Sequence, residues 1–154
     1  MTQLLGEYEC KIDPKSRMRL PSGLISQLGE EKPAFVVNRG FENCLMLYPE
    51  KVWEEITQEV NALNQYDRRN REFVRYFYRG AQRLELDGAD RVLLPKRLLE
   101  YAGIEHDVIL VAVNDRIEMW AKDKYDQMLD AEPEDFSDLA QAVLGDKNGG
   151  PKTG

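Results

Sequence analysis

An internal repeat limits what this chain can fold into more than any other feature. Asp13-Pro14-Lys15-Ser16-Arg17-Met18-Arg19-Leu20-Pro21 returns 74 positions later as Asp87-Gly88-Ala89-Asp90-Arg91-Val92-Leu93-Leu94-Pro95. At the same offset Ile12 meets Leu86, Leu24 meets Leu98 and Gly29 meets Gly103. Two residues fewer in the loops then bring Tyr48 onto Trp120 and Trp53 onto Tyr125, so the correspondence covers about forty residues. A unit that short buries too little apolar surface to stand alone. The copies are therefore expected to share a core with each other or with neighbouring subunits. The implied division is residues 5–53 for the first unit, 54–80 for a helical connection and 81–125 for the second unit. Residues 126–144 follow as a C-terminal helix and 145–154 as a flexible tail.

Within the first copy, Leu4 to Ile12 reads as a strand, Asp13 to Ser16 as a turn and Arg17 to Leu20 as a strand running back. In that returning strand Arg17 and Arg19 share one face, and Met18 and Leu20 share the other. Ser22 is the expected N-cap of a short helix ending at Gly29. Two further strands, Ala34 to Asn38 and Cys44 to Tyr48, enclose a loop in which Gly40 and Asn43 are candidates for positive φ. A helix follows with Val52, Trp53, Ile56, Val60 and Leu63 on one face. Asp67 can cap the next, in which Phe73, Tyr76 and Phe77 form an apolar stripe suited to core or inter-subunit packing. Arg68, Arg71, Arg75 and Arg79 form a neighbouring stripe that reads as a solvated face or a subunit contact, with a second phosphate-contacting stripe as the alternative. The second copy repeats the pattern from Gln82 to Leu129. A last helix has Phe136, Leu139, Ala140 and Val143 to bury, against an adjacent subunit if not within the chain.

The net charge of −7 argues at first against a nucleic-acid partner, but its distribution weakens the objection. Residues 126–154 hold seven acids against two lysines, whereas residues 10–23 carry Lys11, Lys15, Arg17 and Arg19 against Asp13 alone. Cys10 and Cys44 are too far apart in sequence, and too few, for a zinc or disulfide framework, and read as small buried apolar residues. No apolar run approaches the length of a membrane span, and no signal segment opens the chain, so a cytoplasmic setting is expected. With no HExxH, GxSxG, P-loop or Cys/His set, no enzyme, cofactor, metal or small-molecule substrate is expected. The lone His106 sits in a polar loop.

These residues carry a family resemblance. The doubled DxxxR motif, each copy followed by three residues of which the first and third are apolar and then by Pro, resembles the MraZ family. So do Arg39-Gly40-Phe41-Glu42-Asn43-Cys44-Leu45-Met46-Leu47-Tyr48-Pro49, Phe73-Val74-Arg75-Tyr76-Phe77, Tyr101-Ala102-Gly103-Ile104 and Asp115-Arg116-Ile117-Glu118-Met119-Trp120. The resemblance spans residues 5 to 144 and implies an α+β fold. That fold has two pseudo-symmetric AbrB-like (SpoVT-type) swapped-hairpin units sharing a core, with connecting and C-terminal helices. It also implies a ring-shaped homo-oligomer at the nucleoid. Such a protein binds direct repeats of double-stranded DNA upstream of its own operon and represses a division and cell-wall gene cluster. Arg17 and Arg91 carry over as DNA contacts, with Lys15 beside the first, and Asp13 and Asp87 as turn acids. Where the family usually has Gly before each motif arginine, this chain has Ser16 and Asp90, so the first copy is expected to bind DNA more strongly.

A two-stranded ribbon with arginines on one face, Arg17 and Arg19 in the first copy and Arg91 in the second, is narrow enough for a major groove, where arginine can bond guanine O6 and N7. The same residues also read as surface ion pairs, Asp13 with Arg17 and Asp87 with Arg91, that stabilise turns by about 0–1 kcal/mol. The two roles are compatible, since a held arginine has less freedom to lose on binding. The alternative class is an antitoxin-like or structural oligomerisation protein whose main partner is another protein.

Overall fold

The computed structural model describes residues 3–29, 32–130 and 136–149. The first copy supplies β1 (Leu4–Lys11), β2 (Arg17–Arg19), α1 (Ser22–Leu28), β3 (Ala34–Arg39), β4 (Leu45–Pro49) and α2 (Glu50–Asn61). After the connecting helix α3 (Arg68–Tyr78) come β5 (Gln82–Glu85), β6 (Arg91–Leu93), α4 (Lys96–Ala102), β7 (Asp107–Asn114) and β8 (Arg116–Ala121). Two more helices follow, α5 (Lys122–Asp130) and α6 (Phe136–Gly149). The eight strands of both copies and helices α1 to α4 lie in one compact unit reaching to Lys122, and the chain from Asp123 onward forms a second unit. The fold is α+β, built on two pseudo-symmetric units. The boundaries of β2 and β6, and of α1 and α4, coincide when shifted by the repeat offset.

Strand pairing interlocks the two copies. The main antiparallel sheet runs β1-β7-β8-β4-β3-β5, and a two-stranded ribbon joins β2 to β6. The first strand of each copy thus pairs with the third strand of the other, and like pairs with like at β4–β8 and β2–β6. The order reads the same when the copies are exchanged. This corrects the expectation that Arg17 to Leu20 runs back along Leu4 to Ile12. Only the Ile12–Met18 bridge joins them, after which β2 leaves for β6. β1 needs a partner of matching length, and the eight-residue β7 offers one where the three-residue β2 cannot.

The core lies where the inner faces of both copies meet. Phe35, Leu45, Leu47, Leu110, Ile117 and Met119 are fully enclosed, each contributing about 1.5–3 kcal/mol by leaving water. Cys10 and Cys44 are free and buried, and burial pushes their thiols up to about 11 and about 12. Gly29 and Gly103 close α1 and α4 in the left-handed conformation, as expected. Asp67 caps α3 by accepting from the Arg69 N–H at 2.8 Å. Ser22 does not cap α1: Pro21 holds that position, and its carbonyl accepts from Leu24 and Ile25. In the β3–β4 loop neither Gly40 nor Asn43 has positive φ. Gly40 is there for space, because a Cβ would stand 2.7 Å from the Cys44 sulfur.

The aromatic stripe of α3 is not core within the chain. Phe73 and Tyr76 are exposed, and the stripe's packing contact is Phe77 stacked on Trp53 at 5.4 Å. In the second unit, Phe136, Leu139 and Val143 of α6 are likewise exposed rather than buried. α6 also continues through Gly149, beyond the expected start of a flexible tail at 145. Gly145 lowers helix propensity by about 1 kcal/mol without ending the helix, and no proline intervenes before Pro151. The rest of the expected tail, 150–154, lies outside the described residues.

Part of the open edge of β1 is covered by a side chain. The Gln27 amide accepts from the Leu5 N–H and donates to the Leu5 carbonyl, both at 2.9 Å, as a neighbouring strand would. It also donates to the Tyr8 hydroxyl at 2.8 Å. Gln27→Ala should lower stability by about 1–2 kcal/mol in urea unfolding and make the protein self-associate more at high concentration.

Candidate nucleic-acid interface

Each DxxxR turn is a small hydrogen-bonded ring around one carboxylate. Asp13 Oδ1 accepts from the Lys15 and Arg17 N–H groups, each at 2.9 Å, and Oδ2 accepts from Arg17 Nε at 2.8 Å. Asp87 repeats this with Ala89, Arg91 and Arg91 Nε at 2.8, 2.9 and 2.9 Å. The Arg17 backbone N–H is the largest influence holding the Asp13 carboxyl below the usual carboxylate range, and Arg91 does the same for Asp87. Only Nε of each arginine is engaged, so among the described residues both terminal nitrogens remain for another partner. An arginine so held keeps its fork and loses its freedom.

Ser16 and Asp90 take φ of 65° and 61°, the left-handed conformation that glycine adopts without cost. Their carbonyls cross to the other copy: Leu94 N–H donates to Ser16 at 2.8 Å and Leu20 N–H to Asp90 at 2.9 Å. The turns are thereby tied beneath a shared ribbon.

In that ribbon Arg17 faces Leu93, Met18 faces Val92 and Arg19 faces Arg91. Met18 and Val92 are fully buried, so alternation sends Arg17, Arg19, Arg91 and Leu93 to the outer face. Three of the four expected contact residues therefore share one surface, and Lys15 stands exposed in the turn beside them. Leu93 carries no sequence signal of its own beyond standing 74 positions after Arg19. Arg68, Arg71, Arg75 and Arg79 are exposed along α3, as a solvated face should be. The Arg39–Cys44 loop serves another purpose, tying elements together. Arg39 donates to the Tyr76 carbonyl at 2.9 Å and Asn38 to the Phe77 carbonyl at 2.7 Å, while Tyr101 donates to the Gly40 carbonyl at 3.2 Å. Among the described residues no acidic, His or Cys cluster could hold a metal, and no helix is long and apolar enough to cross a membrane.

The chain matches a known family model twice, once for each copy of the turn. The model described as "MraZ protein, putative antitoxin-like" covers residues 3–76 and again 77–147. The chain belongs to the MraZ family. A transcriptional regulator MraZ from Christiangramia forsetii is 42% identical over 147 residues, covering 94% of this chain and 95% of the relative. Proteins of the same name from Flavobacterium psychrophilum and Cytophaga hutchinsonii are 39% and 37% identical, over 96% and 90% of this chain and 96% and 93% of their own lengths. Within this MraZ-family chain the two turns are geometrically alike but chemically unequal. The first offers Lys15, Arg17 and Arg19, where the second offers Ala89, Arg91 and Leu93, with Asp90 adding a negative charge.

Asp90→Gly should relieve the left-handed strain and raise stability by about 0.5–1 kcal/mol, read as a melting temperature a few degrees higher. The lowered carboxyls of Asp13 and Asp87 stabilise the fold fully above the ordinary aspartate range, and lose that contribution as pH falls through their folded values. Denaturant melts between pH 6 and 2 should accordingly show a shallower acid loss for Asp13→Asn than for the parent protein.

Proposed function

We propose that this protein is a sequence-specific, duplex-DNA-binding transcriptional regulator acting at the nucleoid. In this reading it represses a division and cell-wall gene cluster by binding direct repeats upstream of its own operon as a ring-shaped homo-oligomer. The observation that carries the reading is the outer face of the β2–β6 ribbon, where Arg17, Arg19 and Arg91 converge with terminal guanidinium nitrogens of the two motif arginines unengaged. A two-stranded ribbon fits the major groove, and arginine forks suit guanine. The relatives' shared name, transcriptional regulator, supports the same assignment.

The inequality of the two turns bears on the kind of site. A ribbon with identical halves would favour a palindrome, since operator symmetry mirrors protein symmetry. Lys15 against Ala89 and Arg19 against Leu93 give this ribbon a direction, which suits tandem sites in one orientation. Exposed Phe73 and Tyr76 on α3, and Phe136 and Val143 on α6, supply apolar surface for contact between copies. The family description's word "antitoxin-like" supports a second reading in which the main partner is a protein. A stoichiometric partner co-purifying from the native host, with no DNA preference, would favour that reading.

The deciding experiment titrates the protein against duplex DNA from upstream of its gene and against scrambled DNA at several salt concentrations. Arg17→Ala should weaken selective binding about 10–100-fold and reduce the salt slope by about one, with oligomer size unchanged. Equal affinity for both DNAs at every salt would dispose of the assignment.

A further inference from the structure

One side chain on the ribbon's outer face is not explained by charge. Leu93 is 59% exposed, lies opposite Arg17 and occupies the place that Arg19 holds in the first copy. Its neighbour Val92 is fully buried, so the direction of Leu93 is set by the alternation of β6 rather than by a loose chain end. A single exposed leucine is ordinary on a protein surface. Here, however, it stands among three arginines on the face that would enter the groove.

The major-groove edges of the bases are polar except for one group, the C5 methyl of thymine. Opposed Cα atoms in an antiparallel ribbon lie about 4.5–5.5 Å apart, against a base-pair rise of about 3.4 Å. Side chains from such a pair therefore reach bases one or two steps apart. Asp13 holds Arg17 by Nε, leaving its terminal nitrogens to meet a base edge while Leu93 meets the next.

We propose that Leu93 reads the methyl group of a thymine one or two base pairs from the guanine taken by Arg17. The inference rests on the ribbon being the duplex-binding face, and it adds the chemistry of one base to that reading. It also gives β6 its own role: Arg91 supplies charge, and Leu93 selects A·T over G·C at one position.

The test replaces each thymine of the upstream duplex, one at a time, with deoxyuridine, which pairs identically and lacks only the methyl. At one position the parent protein should lose about fourfold in affinity, the worth of one buried methyl-sized group. Leu93→Ala, an exposed substitution expected to leave the melting curve unchanged, should bind both duplexes equally there. Leu93→Arg, which rebuilds the first copy's residue, should also lose the methyl discrimination and steepen the salt dependence by about one phosphate contact. If the parent protein binds its upstream DNA selectively through Arg17 and yet no deoxyuridine position separates it from Leu93→Ala, this inference fails and the proposed function stands. If binding shows no selectivity at all, both fall.

Discussion

Each copy of the repeat leaves its first strand and its turn carbonyl without a partner of its own, and the other copy supplies both. β1 lies on β7 and β5 on β3, while the carbonyls of Ser16 and Asp90 accept from Leu94 and Leu20. Met18 and Val92, paired within the β2–β6 ribbon, and Leu20 and Leu94 just beyond it are all buried. The left-handed backbone at Ser16 and Asp90 belongs to the same constraint. Strain of about 1–2 kcal/mol at such a residue persists where surrounding bonds over-determine the conformation.

Drawing both ribbon strands from one chain has a chemical consequence. A dimer of single units would place the same side chains on both strands, so a change useful on one would be forced on the other. Fusion makes every ribbon a mixed one. Lys15 and Arg19 in one copy can then coexist with Ala89 and Leu93 in the other, although the Asp–Arg rings beneath them are nearly superimposable in their distances. The scaffold stays symmetric while the surface diverges.

Much of this was legible in the sequence, and the part that was not has a physical pattern. Features set by neighbouring residues came through: the Asp67 cap, the left-handed closures at Gly29 and Gly103, and the inward Met18 with outward Arg17 and Arg19. The hairpins β3–β4 and β7–β8 came through as well, but the partner of Arg17 to Leu20 did not, because alternation of apolar residues marks which face is buried and says nothing of which strand lies alongside. Arg17 to Leu20 therefore looked like the return of β1, when its partner was β6. Gly40 was misread for a related reason. Its requirement is the closeness of the Cys44 sulfur, a matter of packing rather than of φ. The aromatic stripe of α3 showed helical period without showing what covers it, and within the chain Phe73 and Tyr76 remain exposed. In the ribbon, the arginines and their acids could be read as a motif, whereas the place of Leu93 opposite Arg17 comes only from the register.

The interlocked sheet also orders events during synthesis. β1 is the first strand to be made, yet its pairing with β7 joins Lys11 to Asp107 and Leu4 to Asn114. At about 5–20 residues per second, the ribosome needs on the order of ten seconds to deliver that partner. β3 and β4 can meet much sooner, since Arg39 and Leu45 are close in sequence. The strand that emerges first is thus among the last to be built in, and contacts so distant in sequence slow the closing step. Through that interval the nascent chain carries an unpaired strand, part of which Gln27 of α1 is near enough in sequence to occupy.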